Sequence, residues 1–60
     1  MWIISKLSGV INADQVSRFT ESPSGTNAHF KNFVFTISDK PVLATIIDAL
    51  KNGDNFLEVE

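Results

Sequence analysis

The sequence predicts an α+β fold: a small antiparallel sheet of three to four strands with one helix packed on one face, in the order β-β-β-α-β. Short segments rich in β-branched and aromatic residues, which favour strands, lie on both sides of one segment with helical spacing. Turn-forming residues separate these segments. No linker or internal repeat divides the 60 residues, so 1–60 is expected to be a single domain.

The helix is predicted over Pro41–Asn52. Its apolar residues follow the spacing i, i+3, i+4 and i+7 that places side chains on one face: Leu43, Ile46, Ile47 and Leu50. Asp39 can accept hydrogen bonds from the first free N–H groups, and Pro41 suits a first helical turn. Lys51 and Gly53 suit the end of a helix, because one complements the macrodipole and the other adopts left-handed backbone easily.

The first strand is predicted over Met1–Lys6, which is β-branched and aromatic. Its consecutive apolar residues occupy both faces, as in a central strand or a strand whose second face meets a partner. Ser8–Gly9 indicates a turn, and Val10–Ile11 is expected to resume extended structure.

Residues 13–20 admit two interpretations, a short helix or a strand. Asn12 and Gln15 match a capping box, which would begin a helix. The apolar residues here do not complete a helical stripe, however. The favoured interpretation is a turn at Asn12–Asp14 followed by a strand over about Gln15–Glu21, with a bulge disturbing its alternation.

Ser22–Asn27 is predicted to be an exposed, mobile hairpin loop, because proline, glycine and short polar residues fill it. Asn32–Ile37 then alternates as a half-buried strand. Its apolar face, expected to meet the helix, carries Phe33, Phe35 and Ile37. Phe56–Glu60 alternates again and is predicted to be an edge strand, whose carboxylates discourage further pairing.

Composition excludes several kinds of site. Hydrophobic residues make up 43% and charged residues 20% of the chain, which is typical of a globular protein. The absence of cysteine rules out disulfides and thiolate zinc sites, and a single histidine rules out a histidine-rich metal site. We therefore expect no metal and no other cofactor.

The charge pattern argues against nucleic acid as a partner. The net charge is −2, and the basic residues are scattered, whereas phosphate neutralisation needs clustered Lys and Arg. No apolar run approaches the ~20 residues that span a bilayer. Met1–Ile4 lacks the flanks of a signal peptide, so no membrane association and a cytoplasmic location are expected.

No catalytic constellation is evident, so the protein is not expected to be an enzyme, and no small-molecule substrate is indicated. His29 is the one side chain that titrates near neutrality, but it lacks a partner motif. Asp48–Val59 fails the calcium-loop pattern, because Leu50 and Val59 occupy ligand positions. The mild acidic bias of the C-terminal third is best interpreted as a solvated edge.

The apolar residues exceed what one short helix can cover. An exposed apolar patch marks an interaction surface, and a chain this small gains stability by self-association. The predicted interaction surface consists of Trp2, Ile4, Phe30 and Val34. The favoured hypothesis is thus a non-enzymatic protein–protein interaction or regulatory module that forms a homodimer.

The alternative is a single-stranded nucleic-acid-binding accessory protein. Phe30, Phe33 and Phe35 could stack on bases as sheet aromatics do in such proteins, with Arg18 and Lys31 nearby in sequence. Core packing is the favoured role of these rings, because a small chain needs its aromatics inside.

The first third of the chain resembles the start of short bacterial and phage-type proteins of unknown function. The resemblance lies in Trp2–Ser5, Gly9 and Ile11–Val16. It implies a small β-rich bacterial protein and assigns no functional residue.

Overall fold

The computed structural model describes residues 1–59. Over that range, six strands form two three-stranded sheets, and one α-helix accompanies them. The elements are β1 Trp2–Ser5, β2 Gly9–Asn12, β3 Arg18–Ser22, β4 Gly25–His29, β5 Val34–Ser38, α1 Leu43–Asn52 and β6 Phe56–Val59. The predicted α+β class is confirmed. Glu60, which was assigned to the last strand, lies outside the described residues.

The first sheet has the order β2-β1-β6. β1 is antiparallel to β2 and parallel to β6, so Trp2 lies between Asn12 and Phe56. The first strand is therefore central, which is one of the two arrangements expected for it. The prediction of one antiparallel sheet of three to four strands differs from the structure in three respects. Over the described residues there are six strands, they divide into two sheets, and the β1–β6 pair is parallel.

The division into two sheets follows from the turn after β2. Asn12 Oδ1 accepts a hydrogen bond from the Asp14 N–H at 3.0 Å, and Ala13–Gln15 forms a single 3-10 turn. This turn redirects the chain, so β3 pairs with β4 instead of continuing beside β2. The favoured interpretation, a turn followed by a strand, is confirmed, although the strand begins at Arg18.

The second sheet is an antiparallel meander in the order β3-β4-β5. Ser22 pairs with Gly25, which leaves only two residues, Pro23 and Ser24, in the hairpin turn. The prediction of an exposed loop over Ser22–Asn27 is therefore wrong for its second half, since Gly25 and Thr26 are buried in β4. Burial of these small polar residues depends on hydrogen bonds to a distant segment, which composition does not reveal.

One buried cluster joins both sheets and the helix. Its members are Ile3, Ile11, Ala28, Ile37, Ile46 and Val59. Among the described residues, no buried side-chain nitrogen or oxygen lacks a hydrogen bond, so the polar groups inside the fold are satisfied.

α1 begins two residues later than predicted, at Leu43, and Asp39 does not cap it. Glu21 of β3 does so instead, because its Oε2 accepts a hydrogen bond from the Leu43 N–H at 2.9 Å. A carboxylate at this end also complements the helix macrodipole. The predicted end at Asn52, followed by Gly53 in left-handed conformation, is confirmed.

The buried side of α1 is narrower than the predicted four-residue stripe. Ile46 and Ala49 are buried, whereas Ile47 and Leu50 are exposed. The helix packs only lightly on the rest of the fold, and its most extensive contact is with β3.

Contrary to the prediction, the helix does not cover the aromatic side of β5. Phe33 is 52% and Phe35 is 45% exposed, whereas Ile37 is fully buried. β4 and β5 shift register between Thr26 and Asn27, which lie opposite Ser38 and Thr36. This bulge at Ile37 breaks the simple alternation from which the shared face was inferred.

Gly25→Ala is expected to destabilise the fold. A Cβ atom at Gly25 would lie 2.5 Å from the main-chain oxygen of Ser38, so β4 and β5 would have to separate. Overpacking of this kind costs about 1–3 kcal/mol. Chemical denaturation checks the loss, and Ser24→Ala, in the adjacent exposed turn, is the control. Equal stability of the two variants would contradict the close approach.

Candidate functional site

Apolar side chains lie together on the outer face of the first sheet. In both antiparallel and parallel pairs, directly opposed residues point to the same side. Trp2 lies opposite Phe56, and Ile4 lies opposite Val10. Asn12 and Glu58, the remaining partners of Trp2 and Ile4, share this side with them. We use the term "apolar face" for its apolar residues: Trp2, Ile4, Val10 and Phe56.

The apolar face is open. Trp2 is 44%, Val10 63% and Phe56 67% exposed, and Ile4 is half-buried between them. The reverse side of the same strands carries Ile3 and Ile11, which belong to the core. β1 is thus apolar on both sides, and the helix-containing core takes up only one of them.

Backbone pairing fixes the geometry of this face. The Trp2 N–H donates to the Asn55 carbonyl at 2.8 Å, directly before β6 begins. Phe56 is thereby held beside Trp2 on the neighbouring strand. Rings at directly opposed positions provide a large and rigid contact area.

Charged groups lie on the same side of the sheet, on the edge strand β6 and beyond the end of β1. Glu58 lies opposite Ile4, and Lys6 follows the end of β1. These residues line an open depression of about 530 Å³ together with Ser5 and Val59. An apolar centre with a charged margin is the usual anatomy of a protein–protein interface.

The structure brings together only two of the four residues predicted for the interaction surface. Trp2 and Ile4 share the apolar face, whereas Phe30 and Val34 belong to the second sheet and its β4–β5 connection. Val34 is opposite His29 in the strand register. Phe56, which the prediction omitted, belongs to the face. Its position on the same side of the last strand as Glu58 was the available signal, because that side faces solvent.

Three phenylalanine rings form a separate cluster. Phe30 stacks on Phe33 with ring centroids 4.8 Å apart, and Phe35 meets both edge-on at 5.9 and 5.1 Å. Because Phe33 and Phe35 are about half exposed, the expected burial of these rings is only partial. Each ring contacts the other two rings of the cluster, so part of its surface is already covered.

His29 lies on the polar side of the second sheet. Its Nε2 is 2.7 Å from the Thr20 hydroxyl on β3, and Thr36 donates to the Asn27 amide oxygen at 2.9 Å. These cross-strand pairs stabilise the meander. A catalytic hydroxyl–imidazole pair needs in addition an orienting group and donors for a developing oxyanion, so this contact alone indicates no reaction.

The described residues were also compared with the requirements of a metal site and of a membrane-spanning helix. Within residues 1–59, no three His, Cys, Asp or Glu side chains are grouped closely enough to hold a metal ion. In the same range, α1 is too short to cross a membrane, and no other helix qualifies.

No known protein family matches the sequence, and neither the curated proteins nor the solved structures contain a match. The apolar face on β1, β2 and β6 is the candidate functional site.

Proposed function

We propose that this chain is a non-enzymatic interaction or regulatory module that forms a homodimer through the apolar face. The observation that carries the proposal is the grouping of Trp2, Ile4, Val10 and Phe56 on one open side of a sheet. Exposed apolar patches on small proteins commonly mark interaction sites. Burying this one in a dimer removes apolar surface from water on both copies.

A second copy suits this surface because a two-fold contact uses the same patch twice. The flat face of one copy would lie on that of the other, with both Phe56 rings in the contact. Lys6 and Glu58 lie at the margin, where the ammonium group of one copy can approach the carboxylate of the other. Such rim charges improve partner choice more than affinity.

The small size of the chain supports the same proposal. A 60-residue chain buries only about 60% of its unfolded surface, so a small domain gains from a partner subunit. Cysteine, which could supply a covalent alternative, is absent from the sequence. The proposed setting is the cytoplasm of a bacterium or a phage-infected cell, which the resemblance of the first third of the chain supports.

Phe56→Lys is expected to separate the dimer without unfolding the chain. Phe56 is 67% exposed in the single chain, so a lysine is tolerated there, but pairing two copies would bury its charge. Size-exclusion chromatography with light scattering should show a dimer for the unmodified protein and a monomer for the variant. Circular dichroism should be the same for both.

The matched control is Leu50→Lys, an equally drastic change at an exposed position of α1. It should leave the dimer intact. A strictly monomeric unmodified protein at high micromolar concentration would refute the proposal, and loss of the dimer in the Leu50 variant instead would place the interface on the helix.

The exposed phenylalanine cluster favours a second candidate, single-stranded nucleic-acid binding through Phe30 and Phe33. Arg18 on β3 and Lys31 beside the cluster would supply positive charge. A salt-dependent titration with oligonucleotides tests it, and absence of binding at low salt removes it. The net charge of −2 makes it the weaker candidate.

A further inference from the structure

The end of α1 carries a reactive pair of residues, Asn52 followed by Gly53. The side-chain amide of an asparagine can be attacked by the backbone nitrogen of the next residue, which closes a five-membered imide. A following glycine favours this reaction because it has no side chain to hinder the approach. The other asparagines precede alanine or phenylalanine: Asn12, Asn27, Asn32 and Asn55.

The local geometry makes this reaction depend on opening of the helix end. Asn52 and Gly53 are both exposed to water. The Gly53 N–H, however, donates to the Leu50 carbonyl at 3.2 Å, and the Asp54 N–H donates to Ala49 at 3.0 Å. This pair of bonds is a Schellman motif, and it keeps the attacking N–H of Gly53 hydrogen-bonded to the last turn of the helix.

We propose that Asn52 is a site of spontaneous deamidation, and that the C-terminal turn of α1 controls its rate. The Gly53 nitrogen loses its proton to solvent base and forms a bond to Asn52 Cγ. The Cγ–Nδ2 bond breaks, and ammonia leaves after taking up a proton. Water then opens the imide at either carbonyl, giving aspartate or isoaspartate, so no oxidant or reductant is needed.

The products disturb the connection from α1 to β6. Either one places a carboxylate at the negative end of the helix macrodipole, which is unfavourable. Isoaspartate also inserts a methylene group into the main chain within the Schellman motif, directly before Gly53. The displaced segment leads to Asn55, whose carbonyl accepts the Trp2 N–H, and then to Phe56.

Deamidation would therefore loosen the first residues of β6 against β1. If the apolar face is the dimer contact, which is the proposed function, the same change weakens the dimer by displacing Phe56. The site would act as a slow, irreversible switch whose timing is set by fraying of one helical turn.

The experiment follows the amides by peptide mass spectrometry during incubation at mildly alkaline pH, in buffer and in denaturant. Isoaspartate is labelled separately with an isoaspartyl methyltransferase. We expect conversion at Asn52 to outpace the other four asparagines, and to be several-fold faster in denaturant than in the folded protein. Asn52→Gln should remain unconverted, because its longer side chain would close a less favoured ring.

Two results would overturn the proposal. If Asn52 loses its amide in denaturant no faster than the other four asparagines do, Asn52 is not an especially reactive site. Equal rates with and without denaturant would exclude control by the helix end. Hydrogen exchange at the Trp2 N–H should be faster in deamidated protein than in the Asn52→Gln variant, and equal exchange would exclude the effect on β6. These measurements do not depend on a dimer, so they remain decisive if the protein is monomeric.

Discussion

Ile46→Asp is expected to unfold the protein. Ile46 is fully buried in the cluster that joins both sheets and α1. Moving a carboxylate into this apolar site costs several kcal/mol, and the substitution also removes a large apolar side chain. At roughly 0.05–0.15 kcal/mol per residue, a chain of this length has only about 3–9 kcal/mol of total stability. Far-ultraviolet circular dichroism and loss of a cooperative denaturant transition provide the measurement.

Ile47→Asp is the matched control, because it places the same charge on the next residue of the same helix. Ile47 is 42% exposed, so its carboxylate can remain hydrated. The helical spacing in the sequence placed Ile46 and Ile47 on the same face, whereas in the structure only Ile46 is buried. A folded Ile46 variant, or two variants that unfold equally, would contradict the observed orientation of α1.

Thr26→Val is expected to lower the free energy of unfolding by about 1–3 kcal/mol. Thr26 is fully buried in β4, and its hydroxyl donates to the Lys40 carbonyl and accepts from the Val42 N–H, both at 2.9 Å. Valine has nearly the same shape but forms neither bond. Urea denaturation should show a lower midpoint with little change in slope.

Thr45→Val makes the same chemical change at an exposed position of α1 and should leave the midpoint nearly unchanged. If the Thr26 variant matched this control, the hydroxyl would have no role in holding the chain before the helix. Hydrogen exchange gives a further measurement, because the Val42 N–H should lose protection in the Thr26 variant.

Local features of the fold were predictable from the sequence. The spacing of apolar residues indicated α1, and Gly53 marked its end because few other residues adopt that backbone conformation readily. The turn at Asn12 follows from a side chain that bonds two residues ahead. Each of these signals lies within a few residues of the element that it specifies.

Features that depend on distant residues were not predictable. Thr26 bonds to residues 14 and 16 positions away, and Glu21 caps a helix 22 positions away. No pattern in the sequence around either residue indicates these partners. Thr26 was therefore assigned to a loop and Asp39 to the helix cap.

The candidate site shows the same limit. Three consecutive apolar residues in β1 correctly indicated a strand with two apolar sides, which placed Trp2 and Ile4 on a surface. Which other residues share that surface depends on strand register. Phe56 joins them through the parallel β1–β6 pair, whereas Val34 belongs to another sheet. Local sequence therefore indicates where each strand lies, whereas the neighbours of that strand depend on residues far away in the chain.

The parallel pairing of β1 with β6 also has a kinetic consequence. It joins residues 2–5 to residues 56–59, so its loop-closure entropy is among the largest that this chain can incur. The meander β3-β4-β5 and the β1–β2 pair involve short separations and can form early. We therefore expect docking of β6 to be the late step of folding. Until it occurs, β1 presents an unpaired edge, the feature through which partly folded chains associate incorrectly.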